Sequence, residues 1–435
     1  MYFLIISIII KIIQSQIILN FTENKNDSSP NTTSLFSQLY NACLETIIKL
    51  GNPEQKLLLR IEQQSYYLSI SSNELSGNFI KFNYKNSKTY NYNKIKIYIS
   101  EKYMIANQSS DILIFENNNL NDNITFLCVT EGKYFQTGTF GLFLKKDNKE
   151  ITNSNILYQL KEKELIKSYI FYIEYLNENK GKLFIGDYPH NFNKEKYKEI
   201  NFKKTKEIIK YSNRFNIRFD KIMSGEKEIK DQIEGYFELE NGLIRGTINY
   251  HENIKINFFN QYLEKNICKT EIFTDNNLWK CDYYICEENI NLNEFPLLNF
   301  TLYDANISFS FNANDLFFKY NHKYYFLIYF IGSYRIDWIF GKPFLKKYIT
   351  VFDQEKNVIG FYEKIKDNNN RYSLIFIFIN LLFFIFGGLI AFYIFKKLYH
   401  KRKIRANELD DDFVYESIDK ENSQVKKEKT FLGLF

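Results

Sequence analysis

The cysteine and histidine side chains are the first candidates for chemistry in this 435-residue chain, because they can bind metal ions or react as nucleophiles. The five cysteines are Cys43, Cys128, Cys268, Cys281 and Cys286. They include no Cys-x-x-Cys pair with a histidine nearby, and the four histidines of the chain are scattered, with no His-Glu-x-x-His sequence. The spacing argues against a metal site, and we expect neither a metal ion nor another cofactor.

The composition favours a folded chain rich in strands. Hydrophobic residues make up 45% and aromatic residues 18% of the sequence, which excludes a disordered chain. The net charge is +6, and part of it lies in a short basic cluster after residue 395. No long run of lysine and arginine is interleaved with aromatic residues, so we do not expect nucleic-acid binding.

The two ends of the chain predict its compartment. Residues 1–16 form an apolar run that resembles a signal peptide, and residues 17–37 form a polar stretch that we predict to be an exposed spacer. Residues 372–395 carry no charge over about 24 residues, enough to span a membrane. The basic sequence that follows places the tail, residues 396–435, in the cytoplasm. We therefore predict a type I membrane protein of the secretory pathway, at the cell surface or in an endolysosomal or vacuolar membrane.

Glycosylation signals and cysteines agree with this orientation. Seven asparagines precede x-Ser/Thr, and none follows the predicted membrane segment: Asn20, Asn26, Asn31, Asn107, Asn123, Asn299 and Asn306. An oxidising compartment predicts disulfides, with Cys268 bonded to Cys281 or to Cys286 as the local options. The odd number of cysteines leaves at least one thiol over, and the sequence does not decide the connectivity.

The elements that must position any site are predicted to be strands. From about residue 38 to 366, short apolar or alternating runs such as KLLLRI (56–61), KIKIYI (94–99) and SYIFYIEY (168–175) are separated by Asn, Asp, Gly and Lys clusters. This pattern is typical of all-β domains. Helical patterns are few, and the clearest are residues 156–167 and 344–348.

Residues 51–72 (GNPEQKLLLRIEQQSYYLSISS) resemble, without a gap, the first active-site strand of pepsin-like aspartic endopeptidases. That family reads Gly-Thr-Pro-x-Gln, a strand, Asp-Thr-Gly-Ser and an apolar strand. The positions in agreement are Gly51, Pro53, Gln55, Ser65, Leu68 and Ile70. Glu62, Gln63 and Gln64 stand where the family has Asp, Thr and Gly.

Further resemblances follow in the family's order. They are Tyr90 at the position of the flap tyrosine, GTFGL (138–142) and GKLFIG (181–186) in the first half, Glu240-Asn241-Gly242 as the second motif, and WIFGKPFLKKYITVFD (338–353) with VIGF (358–361) at the end. The resemblance covers residues 38–364. It implies an all-β, bilobal pepsin-like acid protease fold, with lobes at 38–190 and 191–366, plus one C-terminal transmembrane helix. It also implies a monomer with a peptide or protein bound between the lobes.

The resemblance assigns the catalytic pair to Glu62 and Glu240, and substrate contacts to Tyr90, Ser65 and Gly242. In this family two neighbouring carboxyl groups share one proton and activate a water molecule against a peptide carbonyl. No Asp-Thr-Gly or Asp-Ser-Gly occurs in this chain. Each glutamate moves its carboxylate outward by about 1.5 Å, and a misplacement of about 1 Å can cost about 10²-fold in rate.

Two functions follow from the resemblance. The first is a membrane-anchored aspartic endopeptidase that works with glutamates. The second is a pseudopeptidase that keeps the cleft as a binding surface. Gln64 replaces a glycine that gives the first loop its room, so we expect impaired or lost catalysis. A carboxylate-pair hydrolase of another class, such as a glycosidase, is suggested by the two glutamates alone.

Overall fold

The computed structural model describes residues 16–25, 39, 42–99, 103–115, 120–132, 137–144, 153–204, 215–228, 233–275, 279–303, 305, 307–332, 337–365, 379–400 and 402. The chain divides into two compact units, residues 1–365 and residues 366–435. The predicted signal peptide, apart from residue 16, lies outside the described residues, as do Asn26, Asn31, Asn306 and the tail beyond residue 402.

Strands dominate the first unit. The first twelve are β1 Ile17–Lys25, β2 Ala42–Leu50, β3 Gln55–Glu62, β4 Leu68–Ser71, β5 Asn91–Ile99, β6 Met104–Phe115, β7 Leu120–Gly132, β8 Gly138–Gly141, β9 Ile170–Tyr175, β10 Lys180–Ile185, β11 Tyr197–Lys204 and β12 Asn216–Ser224. The others are β13 Lys227–Glu228, β14 Ile233–Phe237, β15 Ile244–Thr247, β16 Cys268–Asp275, β17 Trp279–Glu287, β18 Leu298–Leu302, β19 Ser308–Phe311, β20 Phe317–Tyr320, β21 Lys323–Phe326, β22 Ile328–Ile331, β23 Trp338–Phe340, β24 Ile349–Asp353 and β25 Val358–Lys364.

The helices among the described residues of this unit are short. They are α1 Ile156–Glu162, α2 Pro189–Phe192, α3 Ile248–Ile254, α4 Asn260–Glu264, α5 Ala313–Leu316 and α6 Lys342–Lys347, with a π-helical turn at Lys255–Phe259 and 3₁₀ turns at Tyr84–Asn86 and Leu292–Glu294. The first and last α-helices coincide in part with the two predicted helical stretches.

The strands form two large sheets. One has thirteen strands in the order β11-β25-β24-β9-β10-β1-β2-β3-β8-β4-β7-β6-β5. The other has the order β19-β18-β12-β14-β23-β15-β22-β17-β21-β20, with β13 and β16 beside it. Two large sheets and few helices confirm the all-β prediction. Because β11, β24 and β25 belong to the first sheet, the division at residue 190 does not separate the sheets, and the lobe boundaries stay predictions.

The N-terminal strand β1 differs from the prediction of an exposed spacer. Ile17, Leu19 and Phe21 are buried and alternate with more exposed residues. This strand lies between β10 and β2, with Ile17 opposite Ile185 and Phe21 opposite Thr46. Residues alternate between the two faces of a strand, so the apolar positions lie on one face and the polar positions on the other. The spacer prediction is wrong for residues 17–25, and residues 26–37 lie outside the described residues.

The same strand arrangement occurs twice. In the first copy, β3 is parallel to β8, β8 is antiparallel to β4, and β4 is parallel to β7. In the second copy, β14 is parallel to β23, β23 is antiparallel to β15, and β15 is parallel to β22. Because the arrangement is repeated, the loop between β3 and β4 is equivalent to the loop between β14 and β15.

One disulfide links neighbouring strands of the second sheet. Cys268 bonds to Cys286, with their Cα atoms 4.0 Å apart. The register of β16 and β17 places these residues opposite each other, whereas Cys281 lies opposite Phe273. Of the two predicted local pairings, the structure therefore contains Cys268–Cys286, and the pairing with Cys281 is wrong.

The second unit contains the helix α7, Ile379–His400. Its residues are mostly apolar, and the side chains of the helix are exposed. By length and composition, this is the one helix among the described residues that could cross a membrane. It includes residues 379–395 of the predicted span, and residues 372–378 lie outside the described part of the chain.

Candidate functional site

The candidate site lies where the two equivalent loops follow their strands. We define the first loop as residues 62–67, from the last residue of β3 to the start of β4, and the second loop as residues 238–243, between β14 and β15. The side chain of Asn155 holds the first loop by donating to the carbonyl oxygens of Tyr66, at 3.1 Å, and Phe143, at 2.7 Å. The second loop is held by the N–H of Lys342, which donates to the oxygen of Asn241 at 2.8 Å.

A glycine packs against each loop. A Cβ atom on Gly141 would lie 2.5 Å from the oxygen of Tyr67 and 2.7 Å from that of Ser65. On Gly341 it would overlap the oxygens of Leu243 and Asn241 in the same way. Only glycine fits at these positions without moving the loop. The two glycines therefore align the loops, with Ser65 equivalent to Asn241.

This alignment changes which residue occupies the second acidic position of the predicted pair. Glu62 precedes Ser65 by three residues, and the residue three before Asn241 is Glu238. Strand register agrees, because Glu62 is paired with Gly141, while Phe237 is paired with Phe340, the residue before Gly341. The equivalent of Glu62 is thus Glu238. Glu240, the residue proposed from sequence, takes the position of Gln64, where the family has glycine.

Hydrogen bonds between described residues join the two loops. The N–H of Leu239 donates to Oε1 of Gln63 at 3.1 Å. The backbone N–H of Gln63 donates to Oε1 of Glu240. Nε2 of Gln64 donates to Oε1 of Glu238 at 2.8 Å. The side chains at both glycine positions therefore reach across to the opposite loop.

The three carboxyl groups interact electrostatically. Burial, together with the charges of the neighbouring Glu238 and Glu62, raises the pKa of Glu240 to about 8. The N–H of Gln63 favours the ionised form, but burial and the two carboxylates outweigh it. Oε2 of Glu240 is buried and has no hydrogen-bond partner. Thr139 Oγ1 donates to Oε1 of Glu62 at 3.4 Å.

Cys43 is a neighbour of this site that sequence reasoning missed. It lies on β2, two residues before Glu45. The pairing of β2 with β3 places Glu45 opposite Arg60, and Arg60 lies two residues before Glu62. Burial raises the pKa of the Cys43 thiol. The positive charge of Arg60 lowers this pKa, whereas the negative charges of Glu45, Glu240 and Glu62 raise it. A protonated thiol is a poor nucleophile. Only the strand register, and no motif, could have identified this residue.

Tyr90 does not lie at the tip of a hairpin. It precedes β5, while the turn of the β5–β6 hairpin follows Ile99. Its hydroxyl group is 2.8 Å from Oγ of Ser109, and its ring packs on Tyr84, with centroids 5.1 Å apart. The tyrosines near the turn are Tyr98 and Tyr103, with 62% and 65% exposure. The hairpin register favours them over Tyr90 for a role at the tip.

The other predicted contacts lie in the loops. Ser65 is buried, and its Oγ has no hydrogen-bond partner. Gly242 lines a cavity of about 220 Å³ together with Leu39, Phe318, Leu327 and other residues. Among the described residues, no group of three or more His, Cys, Asp or Glu side chains has the arrangement of a metal site.

Of the sequons within the described residues, Asn20 and Asn123 are exposed, whereas Asn107 and Asn299 are half-buried. Oδ1 of Asn299 is buried. Glycosylation at these positions stays a prediction, and Asn20 and Asn123 are the most accessible acceptors among them.

The carboxyl groups of this site take part in bonds between the loops. An aspartic dyad needs two carboxylates that hold one water between them. Here the amide of Gln64 donates to Glu238, and Glu240 accepts from the N–H of Gln63. The residues can hold the loops together and bring acidic groups close to each other.

Comparison with known proteins identifies the family. The family model for eukaryotic aspartyl protease matches residues 45–364, which include both loops and all strands from β3 to β25. No curated protein sequence matches the chain significantly. The family match, the two large sheets and the repeated strand arrangement confirm the bilobal pepsin-like fold, and the chain belongs to the eukaryotic aspartyl protease family.

Proposed function

We propose that this chain is a membrane-anchored member of the aspartyl protease family that binds extended polypeptides in its cleft and has lost efficient peptide hydrolysis. One observation carries the proposal. Gln64 and Glu240, at the two glycine positions, bond across the loops to Glu238 and to the N–H of Gln63. The bond from Gln64 occupies one oxygen of Glu238, which is one of the two carboxylates that would have to hold and activate water.

The spacing of the acidic groups supports the same conclusion. With Glu62 and Glu238 in the two equivalent positions, each carboxylate is one methylene farther from the backbone than an aspartate would be, or about 1.5 Å. A third carboxyl group, on Glu240, is close enough to both for their charges to raise its pKa. Catalysis by a pair requires tight control of position, and about 1 Å of error costs about 10²-fold.

Binding does not require the dyad. A cleft between two β lobes can hold an extended peptide by hydrogen bonds to its backbone and by pockets for its side chains. The cavity of about 220 Å³ beside Gly242 has a mixed lining, with Leu39, Phe318 and Leu327 on its apolar part and charged residues such as Asp315 and Lys346 on its polar part. Such a lining suits a side chain that has both apolar and polar groups.

The proposed location is a membrane of the secretory pathway. The apolar helix α7 supports an anchor, and the basic residues from Lys396 onward support a cytoplasmic tail. The first unit would then face the lumen or the outside, where the Cys268–Cys286 disulfide is stable. The cell surface and an endolysosomal or vacuolar membrane both fit this orientation.

A second candidate is an aspartic-type endopeptidase that works with Glu62 and Glu238. It is favoured by the retained pair of acidic residues at equivalent positions of the two loops. Cleavage that is lost in both Glu62→Gln and Glu238→Gln, and kept in the surface variant Glu264→Gln, would establish this function.

The test is binding measured together with cleavage. The full-length chain in detergent micelles is added in excess to a fluorescent, reduced and alkylated unfolded protein at pH 5. We expect higher fluorescence anisotropy, competition by pepstatin and an intact labelled protein on a denaturing gel. An unchanged anisotropy would refute the binding function, and pepstatin-sensitive fragmentation would favour the second candidate.

A further inference from the structure

The bonds between the two loops depend on a group that can change its charge. The bond from the N–H of Gln63 ends on Glu240, and that carboxyl group is buried at Oε2 without a hydrogen-bond partner. Further bonds end on the neutral amide of Gln63 and on Glu238. Two of these bonds thus end on carboxyl groups, and Glu240 is the carboxyl group whose second oxygen is buried without a hydrogen-bond partner.

The surroundings of Glu240 disfavour its charged form. The titratable groups that face it are Glu238 in its own loop, Glu62 at the end of β3, Cys43 on β2 and Tyr175 on β9. Arg60 acts on Cys43 from β3. Ionisation of Glu240 would add a third negative charge between the loops, beside two carboxylates.

We infer that Glu240 is a pH-controlled latch between the two loops, closed when its carboxyl group is neutral and loosened when the group ionises. The inference rests on the proposed function, since it describes the regulation of the same cleft. In acidic compartments the loops are held together and the cleft is formed. Toward neutral and alkaline pH the loops separate more often and a bound polypeptide is released.

The size of the effect follows from linkage. Burial and the charges of Glu238 and Glu62 raise the pKa of Glu240 from 4.5 to about 8 in the closed arrangement, and a solvated carboxyl in an opened loop has its ordinary value. Between these two values, the ratio of closed to open latch falls by about tenfold for each unit that the pH rises. The latch therefore stabilises the closed loops fully in acid, and this stabilisation is lost as the pH approaches 8.

Amide hydrogen exchange tests the latch. The full-length chain in detergent micelles is exchanged from pH 5 to pH 9, and peptides that contain Gln63 and Leu239 are analysed after correction for the intrinsic pH dependence of exchange. We expect protection of these two amides to fall at least about tenfold between pH 5 and pH 8. Glu240→Gln keeps an acceptor oxygen but cannot ionise, so its protection should stay constant. The exposed Glu264→Gln should behave like the unchanged chain.

A second variant keeps the test decisive if Glu240→Gln does not fold. Glu62→Gln removes one of the neighbouring charges, so the fall in protection should be smaller than in the unchanged chain. Constant protection in the unchanged chain, or an unaltered fall in Glu240→Gln, would overturn the latch. Pepstatin-sensitive cleavage by the same sample would refute the proposed function. That result would not affect the exchange measurement, which tests the latch alone.

Discussion

At the scale of single residues, Gln63 has the central role in joining the two loops. Its backbone N–H donates to Glu240 and its side-chain oxygen accepts from Leu239, so one residue joins both loops. It is 1% exposed. The resemblance assigned Gln63 to the threonine position of the family motif but could not show what its longer side chain reaches, because that depends on a loop 176 residues away.

Removing this side chain should weaken the contact between the loops. In Gln63→Ala the buried N–H of Leu239 loses its acceptor, so we expect a loss of about 1–3 kcal/mol in the free energy of unfolding. Urea denaturation followed by intrinsic fluorescence measures it. The exposed Gln261→Ala should change stability by less than about 0.5 kcal/mol. Equal stability of the two variants would show that the bond to Leu239 contributes nothing.

A second residue-scale prediction concerns His251, which lies outside the site. Its ring is 7% exposed and stacks on Phe330, and Nδ1 is 3.3 Å from Oδ2 of Asp282. Burial lowers the pKa of His251, although Asp282 opposes the shift. The folded state therefore prefers the neutral ring. The stability linked to this group is complete above the unfolded pKa of about 6.5 and is lost as the pH falls below it.

Thermal unfolding at different pH values checks this sign. Between pH 7.5 and pH 5, the melting temperature of His251→Gln should fall less than that of the unchanged chain, whatever its absolute stability. His322, whose side chain is 87% exposed, provides the control, and His322→Gln should keep the original slope. An equal slope in all three proteins would mean that His251 does not sense pH.

The second acidic position shows where sequence reasoning reached its limit. The sequence Glu-Leu-Glu-Asn-Gly contains two acids two residues apart, and the glycine at position 242 suggested the register that begins at Glu240. The packing of Gly341 against Asn241 and Leu243 gives the other register. Local sequence could not choose between them, because the choice depends on a contact about 100 residues along the chain.

At the scale of elements, the alternating apolar runs correctly predicted strands. They did not predict β1, because its nine residues lie between an apolar leader and a polar stretch and carry Asn20, Thr22 and Asn24 on one face. Nor could they predict strand order, since β1 pairs with β10 across more than 150 residues. Pairing over such distances is set by the shape of the assembled sheet and by no local pattern.

The glycines behind the loops give an element-scale prediction. In Gly141→Ala, the new methyl group would meet the oxygens of Tyr67 and Ser65 at 2.5–2.7 Å, so β8 and the first loop must move apart. We expect a loss of about 3 kcal/mol in the free energy of unfolding. At Gly332 the nearest atom, the oxygen of Lys280, would be 3.7 Å away. Gly332→Ala should therefore stay within about 0.5 kcal/mol of the original chain, and similar losses in both variants would contradict the packing argument.

At the scale of the whole molecule, the chain combines a folded unit of the aspartyl protease family with a separate apolar helix. If α7 spans a membrane, the full-length chain should stay in the membrane pellet after extraction with alkaline carbonate. A chain that ends at residue 365 should appear in the soluble fraction. Release of the full-length chain by carbonate would contradict the anchor.

The central claim is that the cleft binds without efficient cleavage, and hydrolysis tests it most directly. The full-length chain is incubated in excess over an unfolded protein from pH 3 to pH 7, with and without pepstatin, and the products are identified by mass spectrometry. Circular dichroism confirms that the chain is folded at each pH. We predict intact unfolded protein throughout. Cleavage that pepstatin blocks and that Glu62→Gln abolishes would contradict the account, and would mean that the glutamate pair works as a peptidase.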